Sequence, residues 1–318
     1  RLPKNFNKMP QYSNKSIEEI LTMEIPEKDL MEAQTLRNRF NKINSFLIWV
    51  REQGHALSNN LLRILTLKRT KSPRQERAVF TPEDLGKLFR NETFYALEEK
   101  RPERYWVPLI ALYSGARLEE ICQLEVRDIT KVGDIWCFDI NDRGDKTVKT
   151  DAGKRLIPMH PQLISLGLLE YWESMERQGE KRLFPNLKKT SSTNYSHHLS
   201  KWFTQYRKEC GVGIEKGEKK TFHSFRHTFL LACKESGMPH EMAAQIVGHE
   251  TSHKDMTYGR YGDRYSLGAV YGGMIKLRIY GGLCKMCGKT FCYFSQLESV
   301  QIFCTGMGYD QWGKGCGL

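Results

Sequence analysis

The decisive stretch is Thr221-Phe222-His223-Ser224-Phe225-Arg226-His227-Thr228-Phe229. It reads as the start of a helix, with a histidine and an arginine three apart. One helical turn places i and i+3 on the same face, so His223 and Arg226 are set to reach one bound group together. A guanidinium matches a phosphate through paired N–H donors. An imidazole exchanges a proton near neutral pH. The pair therefore points to a phosphate undergoing chemistry. An isolated His-x-x-Arg is more often only a helix start with satisfied polar groups, so the flanking sequence has to decide.

Composition narrows the partners. The chain has 318 residues and a formal net charge of +12. That length suggests about two domains, each able to bury a core. The excess of Lys and Arg favours a polyanion, nucleic acid first and an anionic membrane surface second. The longest apolar run, around Trp106–Tyr113, falls well short of the roughly 20 residues a membrane helix needs. The first residues, Arg-Leu-Pro-Lys, show no signal-peptide core and no initiator Met. They fit a fragment or a processed form. Of nine cysteines, Cys122, Cys137, Cys210 and Cys233 are scattered and read as reduced intracellular thiols.

Upstream, Ser16-Ile-Glu-Glu is a capping signal for a short helix. Leu36, Phe40, Ile43, Leu47 and Val50 then recur at three- and four-residue spacing, with Arg37, Arg39, Lys42 and Arg51 between them. This predicts an amphipathic helix over Thr35–Gly54 with a basic outer face, ended by Gly54. A further short helix is expected over Leu61–Leu67. Residues 69–78 are charged, aperiodic and contain a proline, which marks a linker. Thr81-Pro82-Glu83-Asp84 opens the next domain, with Thr as N-cap, Pro at the first position and acids in the first turn.

Trp106–Tyr113 is expected to be a buried helix. It runs into the turn Ser114-Gly115-Ala116 and then into Arg117-Leu-Glu-Glu-Ile-Cys-Gln-Leu124. Leu118, Ile121 and Leu124 form a core stripe there. Arg117 stands off that stripe, with Glu120 one turn later where it can hold the guanidinium. Ile135–Ile140 and Arg155–Met159 read as strands of a small antiparallel sheet. The tip between them carries Lys146, Lys149 and Lys154. Helical patterns resume over Leu163–Gln178, His198–Cys210, Ser224–Ser236 and His240–Val247. The expected fold is mostly α with a small antiparallel β-sheet, preceded by a small helical domain.

Five motifs in this order resemble the tyrosine recombinases, or phage-type integrases. They are Ser114-Gly-Ala-Arg117-Leu-Glu-Glu120, Lys149-Thr, His223-Ser-Phe-Arg226-His-Thr-Phe, Val247-Gly-His249 and Met256-Thr-Tyr-Gly-Arg-Tyr261-Gly. Residues 35–275 fit the family's layout. The resemblance implies that residues 1–68 form a helical DNA-binding domain, short at its N-terminal end, and that residues 79–281 form the catalytic domain. It implies a tyrosine hydroxyl that attacks a DNA phosphate. Arg117 and Arg226 would clamp the non-bridging oxygens and His249 would donate a further hydrogen bond. Lys149 would protonate the leaving oxygen, with Lys146 and Lys154 as alternatives on the same hairpin. His223 would take the tyrosine proton, while His227 is expected to pack. Tyr261 is the expected nucleophile, because Arg260-Tyr261 follows Thr257 as in the family's ending; Tyr258 is the alternative. Tyr265 and Tyr271 are expected to pack on helices.

The resemblance further implies no cofactor and no catalytic metal. The partners would be double-stranded DNA, a homotetramer assembled on it, and accessory DNA-bending proteins, in the cytoplasm of a bacterium or from a phage, serving a mobile element. A relaxing topoisomerase and an inactive DNA-binding relic are the competing expectations. Residues 282–318 depart from the family. Cys284, Cys287, Cys292, Cys304 and Cys316 are too irregular for a four-ligand zinc site, and a disordered Gly-rich tail is expected.

Overall fold

The computed structural model describes residue 3 and residues 5–55, 78–190, 192–213, 220–249 and 264–279. The helix expected over 61–67, the linker before Ala78, Tyr258, Tyr261 and the cysteine-bearing tail lie outside the described residues. The chain forms two compact units, Arg1–Arg74 and Gln75–Leu318. Among the described residues, no helix is long and apolar enough to cross a membrane.

In the first unit, α1 (Ile17–Thr22) starts with a reciprocal cap. The Ser16 hydroxyl accepts from the Glu19 N–H at 3.2 Å, and the Glu19 carboxylate accepts from the Ser16 N–H at 2.7 Å. Two otherwise orphaned donors are thereby satisfied. The amphipathic pattern becomes α2 (Ala33–Glu52). Its stripe is only half-buried, and Ile43 is exposed together with Phe46 and Trp49. The last two rings stack at 6.0 Å.

The second unit opens with α3 (Pro82–Phe89), capped by Thr81 and Asp84 as the sequence predicts. Two single-turn helices, α4 (Glu92–Tyr95) and α5 (Leu97–Lys100), lead into α6 (Pro102–Ser114). From Tyr105 to Ser114 every residue of α6 is buried, so this helix is the axis of the core. Gly115 ends it with φ of 63°. A Cβ there would stand 2.5 Å from the Phe229 ring and 3.0 Å from Val247. Only glycine allows both that backbone angle and that close approach. The chain then enters α7 (Leu118–Cys122).

The sheet has three antiparallel strands in the order β1 (Ile129–Val132), β2 (Ile135–Ile140) and β3 (Arg155–Pro158). Phe138 pairs with Ile129 on one side and Ile157 on the other. Sequence reading finds β2 and β3 but not β1. Its four residues, Ile-Thr-Lys-Val, carry too little pattern, and they become a strand by pairing with β2. The single helix expected over 163–178 is two, α8 (Pro161–Ser165) and α9 (Leu168–Arg177), separated by a turn at Leu166-Gly167. Then follow α10 (His197–Glu209), α11 (Ser224–Glu235), α12 (His240–Val247) and α13 (Leu267–Met274). Tyr271 is half-buried on α13. Tyr265 departs from expectation: it precedes α13 and is exposed. Its backbone, rather than its ring, is used, paired with the Gln245 amide at 2.8 and 3.0 Å.

Helix α11 packs on α6, and an aromatic cluster anchors its first turn. Phe225 is fully buried, 4.6 Å from the Phe80 ring and 5.2 Å from both Phe203 and Phe222. Such ring pairs add about 0.5–1.5 kcal/mol each beyond area burial.

His160 lies buried between β3 and α8, its ring 4.9 Å from that of Tyr113. Its Nδ1 accepts from the Gln162 N–H at 3.1 Å and so caps α8. Burial pushes its pKa down to about 4. The folded state therefore favours the neutral ring, against an unfolded value of about 6.5. The contribution is complete above pH 6.5 and disappears as pH falls through 4, a change of about 3 kcal/mol. His160→Asn keeps a capping acceptor without the titration. Urea unfolding of both proteins from pH 7 to pH 4 is expected to show the parent losing about 3 kcal/mol more than the variant.

Candidate active site

The site is built around a buried carboxylate. Arg117 occupies the N-cap of α7, and Glu120 lies one turn on with 3% exposure. The Arg117 backbone N–H donates to Glu120 Oε2 at 2.9 Å, and its Nη1 donates to Oε1 at 2.6 Å. Arg155, at the start of β3, donates from Nη2 to the same Oε2 at 2.9 Å. Burial alone would raise the Glu120 pKa. The guanidiniums of Arg155 and Arg117 outweigh it and hold the carboxyl below the usual range.

Arg226 reaches this cluster from the first turn of α11. It is 2% exposed. Its Nη1 donates to the Gly115 carbonyl at 2.8 Å and its Nη2 to the Val247 carbonyl at 2.5 Å. Arg117 Nη2 donates to the next carbonyl, Gly248, at 3.4 Å. The two arginines, distant in sequence, thus meet at the end of α12. Burial first, and Arg117 next, depress the pKa of Arg226. Among the described residues no carboxylate forms an ion pair with it. A buried cation satisfied only by carbonyls is costly unless an anion completes it.

Gly248 ends α12 with φ of 67°. A Cβ there would sit 2.9 Å from Arg155 Nη1 and 3.0 Å from the Ala152 carbonyl, so glycine is again required. His249 follows, its N–H donating to the Ala244 carbonyl at 2.9 Å. Burial, then Arg226, Arg117 and Arg155, lower its imidazole pKa. The shift favours the neutral ring, which can donate a hydrogen bond without adding charge.

The three hairpin lysines separate. Lys146 is buried, with Nζ 2.6 and 2.7 Å from the Asp128 oxygens and 3.7 Å from Glu125. Lys154 pairs with Asp142 at 2.8 Å and Asp151 at 3.4 Å. Lys149 is exposed and, among the described residues, has no ion-pair partner. Lys146 is thus not displayed at the tip, contrary to the sequence reading, because Asp128 captures it. His223 holds the N-cap position of α11 on the exposed side, its ring 4.8 Å from that of the half-buried His227. The structure joins Arg117 to Glu120 directly and brings Arg226 and His249 to the same end of α12. Lys149 comes from the loop and His223 from the helix start.

Sequence reading missed Arg155. It fastens β3 to α7 through Glu120 and to α12 through the Ile246 carbonyl, which accepts from Nε at 2.5 Å. The signal was the strand period: residues i and i+2 share a face, and Ile157 is core.

The model of the phage integrase family matches residues 95–265. The chain belongs to this family. It is a tyrosine-type site-specific recombinase, an enzyme of DNA recombination and integration. Solved structures are similar to it at low identity. An integrase from mycobacterium phage Brujita is 17% identical over 82% of this chain and 78% of that one, with a TM-score of 0.43. A lambda integrase (75–356) dimer bound to a COC′ core site is 19% identical over 72% and 74%, with a TM-score of 0.47. The Tn1549 transposon integrase (82–397) with circular intermediate DNA is 18% identical over 78% and 80%, with a TM-score of 0.49. No curated protein matches.

Glu120 is the carboxylate that Arg117 and Arg155 share. Glu120→Ala leaves two guanidiniums without their shared carboxylate, one of them on the buried Arg155. Urea unfolding is expected to show a loss of about 3–5 kcal/mol.

Proposed function

We propose that the recombinase cleaves DNA by attack of the Tyr261 hydroxyl on one phosphodiester. The new bond joins the tyrosine oxygen to phosphorus, and the bond to the 5′ oxygen breaks. A 3′-phosphotyrosyl link and a free 5′-hydroxyl result. Rejoining is the same step in reverse, with the 5′-hydroxyl of a partner strand. The bond energy stays in the phosphotyrosine, so the scheme uses neither nucleotide nor metal.

The observation that carries this reading is the buried Arg226 beside Arg117, its bonds going to carbonyls and, among the described residues, no carboxylate ion-paired to it. A transferring phosphoryl group gains negative charge, and cations fixed in advance are the main resource for stabilising it. Arg117 and Arg226 would bind the non-bridging oxygens. Neutral His249 would donate to the same oxygens. Lys149, which unlike Lys146 and Lys154 has no ion-pair partner among the described residues, would protonate the leaving 5′ oxygen. His223, exposed at the helix start, would accept the tyrosine proton. Tyr258 is the alternative nucleophile.

Double-stranded DNA is the substrate, in keeping with the +12 charge. Residues 1–68 would supply DNA contacts and residues 79–281 the chemistry. Exchange between two duplexes breaks four strands, so four copies would act together, with DNA-bending proteins as accessories, to insert or excise a mobile element.

A nicked suicide duplex tests the scheme, because the cleaved 5′ fragment diffuses away and traps the adduct. The parent is expected to form a covalent complex on a denaturing gel. Tyr261→Phe is expected to form none and Tyr258→Phe to form it normally. Arg226→Lys should slow it by about a hundredfold or more, the scale of losing one oxyanion donor. Absence of any adduct with the parent would overturn the proposal. DNA affinity is expected to fall steeply as salt rises, through counterion release.

A further inference from the structure

The connection from β2 to β3 spans residues 141–154, much longer than the two to five residues common in hairpins. Fixing each residue of such a loop costs about 1–2 kcal/mol of backbone entropy. A lysine carried on it would sample many positions unless the loop is tied down. The residues just before Lys149 are tied down one after another. The Asp145 carboxylate is held by Arg182 and by the Tyr195 hydroxyl, which donates at 2.5 Å. Lys146 is sealed against Asp128. Thr147 is held by Gln123 at both of its backbone groups.

That last contact is specific in form. Gln123 Nε2 donates to the Thr147 carbonyl at 2.8 Å, and Gln123 Oε1 accepts from the Thr147 N–H at 3.0 Å. A carboxamide alone among side chains offers a donor and an acceptor side by side without charge, so Gln123 pairs with Thr147 as a neighbouring strand would. Gln123 is itself 3% exposed, and its carbonyl accepts from Arg182 Nη1 at 2.6 Å. It sits at the C-cap of α7, the short helix that begins at Arg117 and carries Glu120. Beyond Thr147, Val148 packs on Gly153, where a Cβ would meet it at 3.2 Å. On the far side, the Gly153 carbonyl accepts from Arg155 Nη1 at 2.6 Å. Between these anchors, Lys149 and Thr150 lead into a single 3-10 turn, Asp151–Gly153.

We propose that Gln123 is a positioning residue for the Lys149 amine, acting through its two-bond clasp on Thr147. The inference rests on Lys149 as the acid that protonates the leaving 5′ oxygen. The clasp ties that amine to the same helix that orients Arg117, so acid and phosphate clamp keep a common frame. General acids contribute about 10²–10⁴-fold, and a misplacement of about 1 Å can cost a hundredfold.

The leaving group distinguishes positioning of the acid from general support. A 5′-bridging sulfur departs as a thiolate and needs no proton, whereas a 5′-bridging oxygen does. Single-turnover cleavage is measured on two suicide duplexes that differ only in that atom. Their sequence is one this protein cleaves, mapped by covalent trapping from a random pool. Gln123→Met keeps the length of the side chain and removes both bonds. It is expected to cleave the oxygen duplex about ten- to a hundredfold more slowly, to cleave the sulfur duplex within twofold of the parent, and to bind DNA with unchanged affinity. If the Met variant does not fold, Gln123→Glu, which keeps the acceptor for the Thr147 N–H, is expected to show a smaller slowing with the same recovery. A parent-like rate on the oxygen duplex overturns the proposal, and so does a deficit that persists on sulfur. Lys149→Ala is run in parallel. If sulfur does not restore it, the acid assignment itself fails, whatever Gln123 does.

Discussion

The recombinase fold turns on one carboxylate. Glu120 is withdrawn from water, and an ion so placed costs several kcal/mol unless its partners are close and well aligned. Arg117 and Arg155 meet that requirement from opposite sides. The consequence is geometric. Arg155 donates to Glu120 and also to the Ile246 carbonyl at the end of α12, where Gly248 makes room for it. Three elements from different parts of the chain, α7, β3 and α12, are locked in one arrangement by a single charge. Arg117 then has one orientation, with its remaining edge turned toward the carbonyl of Gly248.

Arg226 is the counterpart, a cation with no carboxylate ion-paired to it among the described residues. Its helix is pinned by the aromatic cluster around Phe225, the neighbouring residue. The core thus holds a guanidinium that bonds to the Gly115 and Val247 carbonyls and feels Glu120 only through space. Preorganisation of this kind is what an electrostatic catalyst needs, because no reorientation remains to be done during the reaction. Burial, and after it the crowding of Arg226, Arg117 and Arg155, lowers the imidazole pKa of His249, which favours a neutral donor over one more repelling cation.

The loop that bears Lys149 follows a different design. Its anchors are a neutral amide clasp, a buried ion pair and an aspartate held by an arginine and a tyrosine. Two links join this loop to the arginine clamp: α7, which carries Gln123 at one end and Arg117 at the other, and Arg155, which donates to both the Gly153 carbonyl and Glu120.

Much of this was legible in the chain. The caps at Ser16 and Thr81, the breaks at Gly115 and Gly248, the buried run of α6 and the Arg117–Glu120 spacing are local, and local patterns act within one or two turns. The order of the motifs was enough to expect the family, and the family model bears that out. Other features were not legible. Strand β1 exists because β2 pairs with it. Lys146 is buried because Asp128, eighteen residues earlier, captures it. Arg155 joins the site because a strand face and a helix end meet there. The sequence by itself determined which side chains were available and which short elements carry them. Only the tertiary structure decided which charges are shielded, which are matched and which are left open, because desolvation and ion pairing depend on neighbours that the chain brings together from far apart.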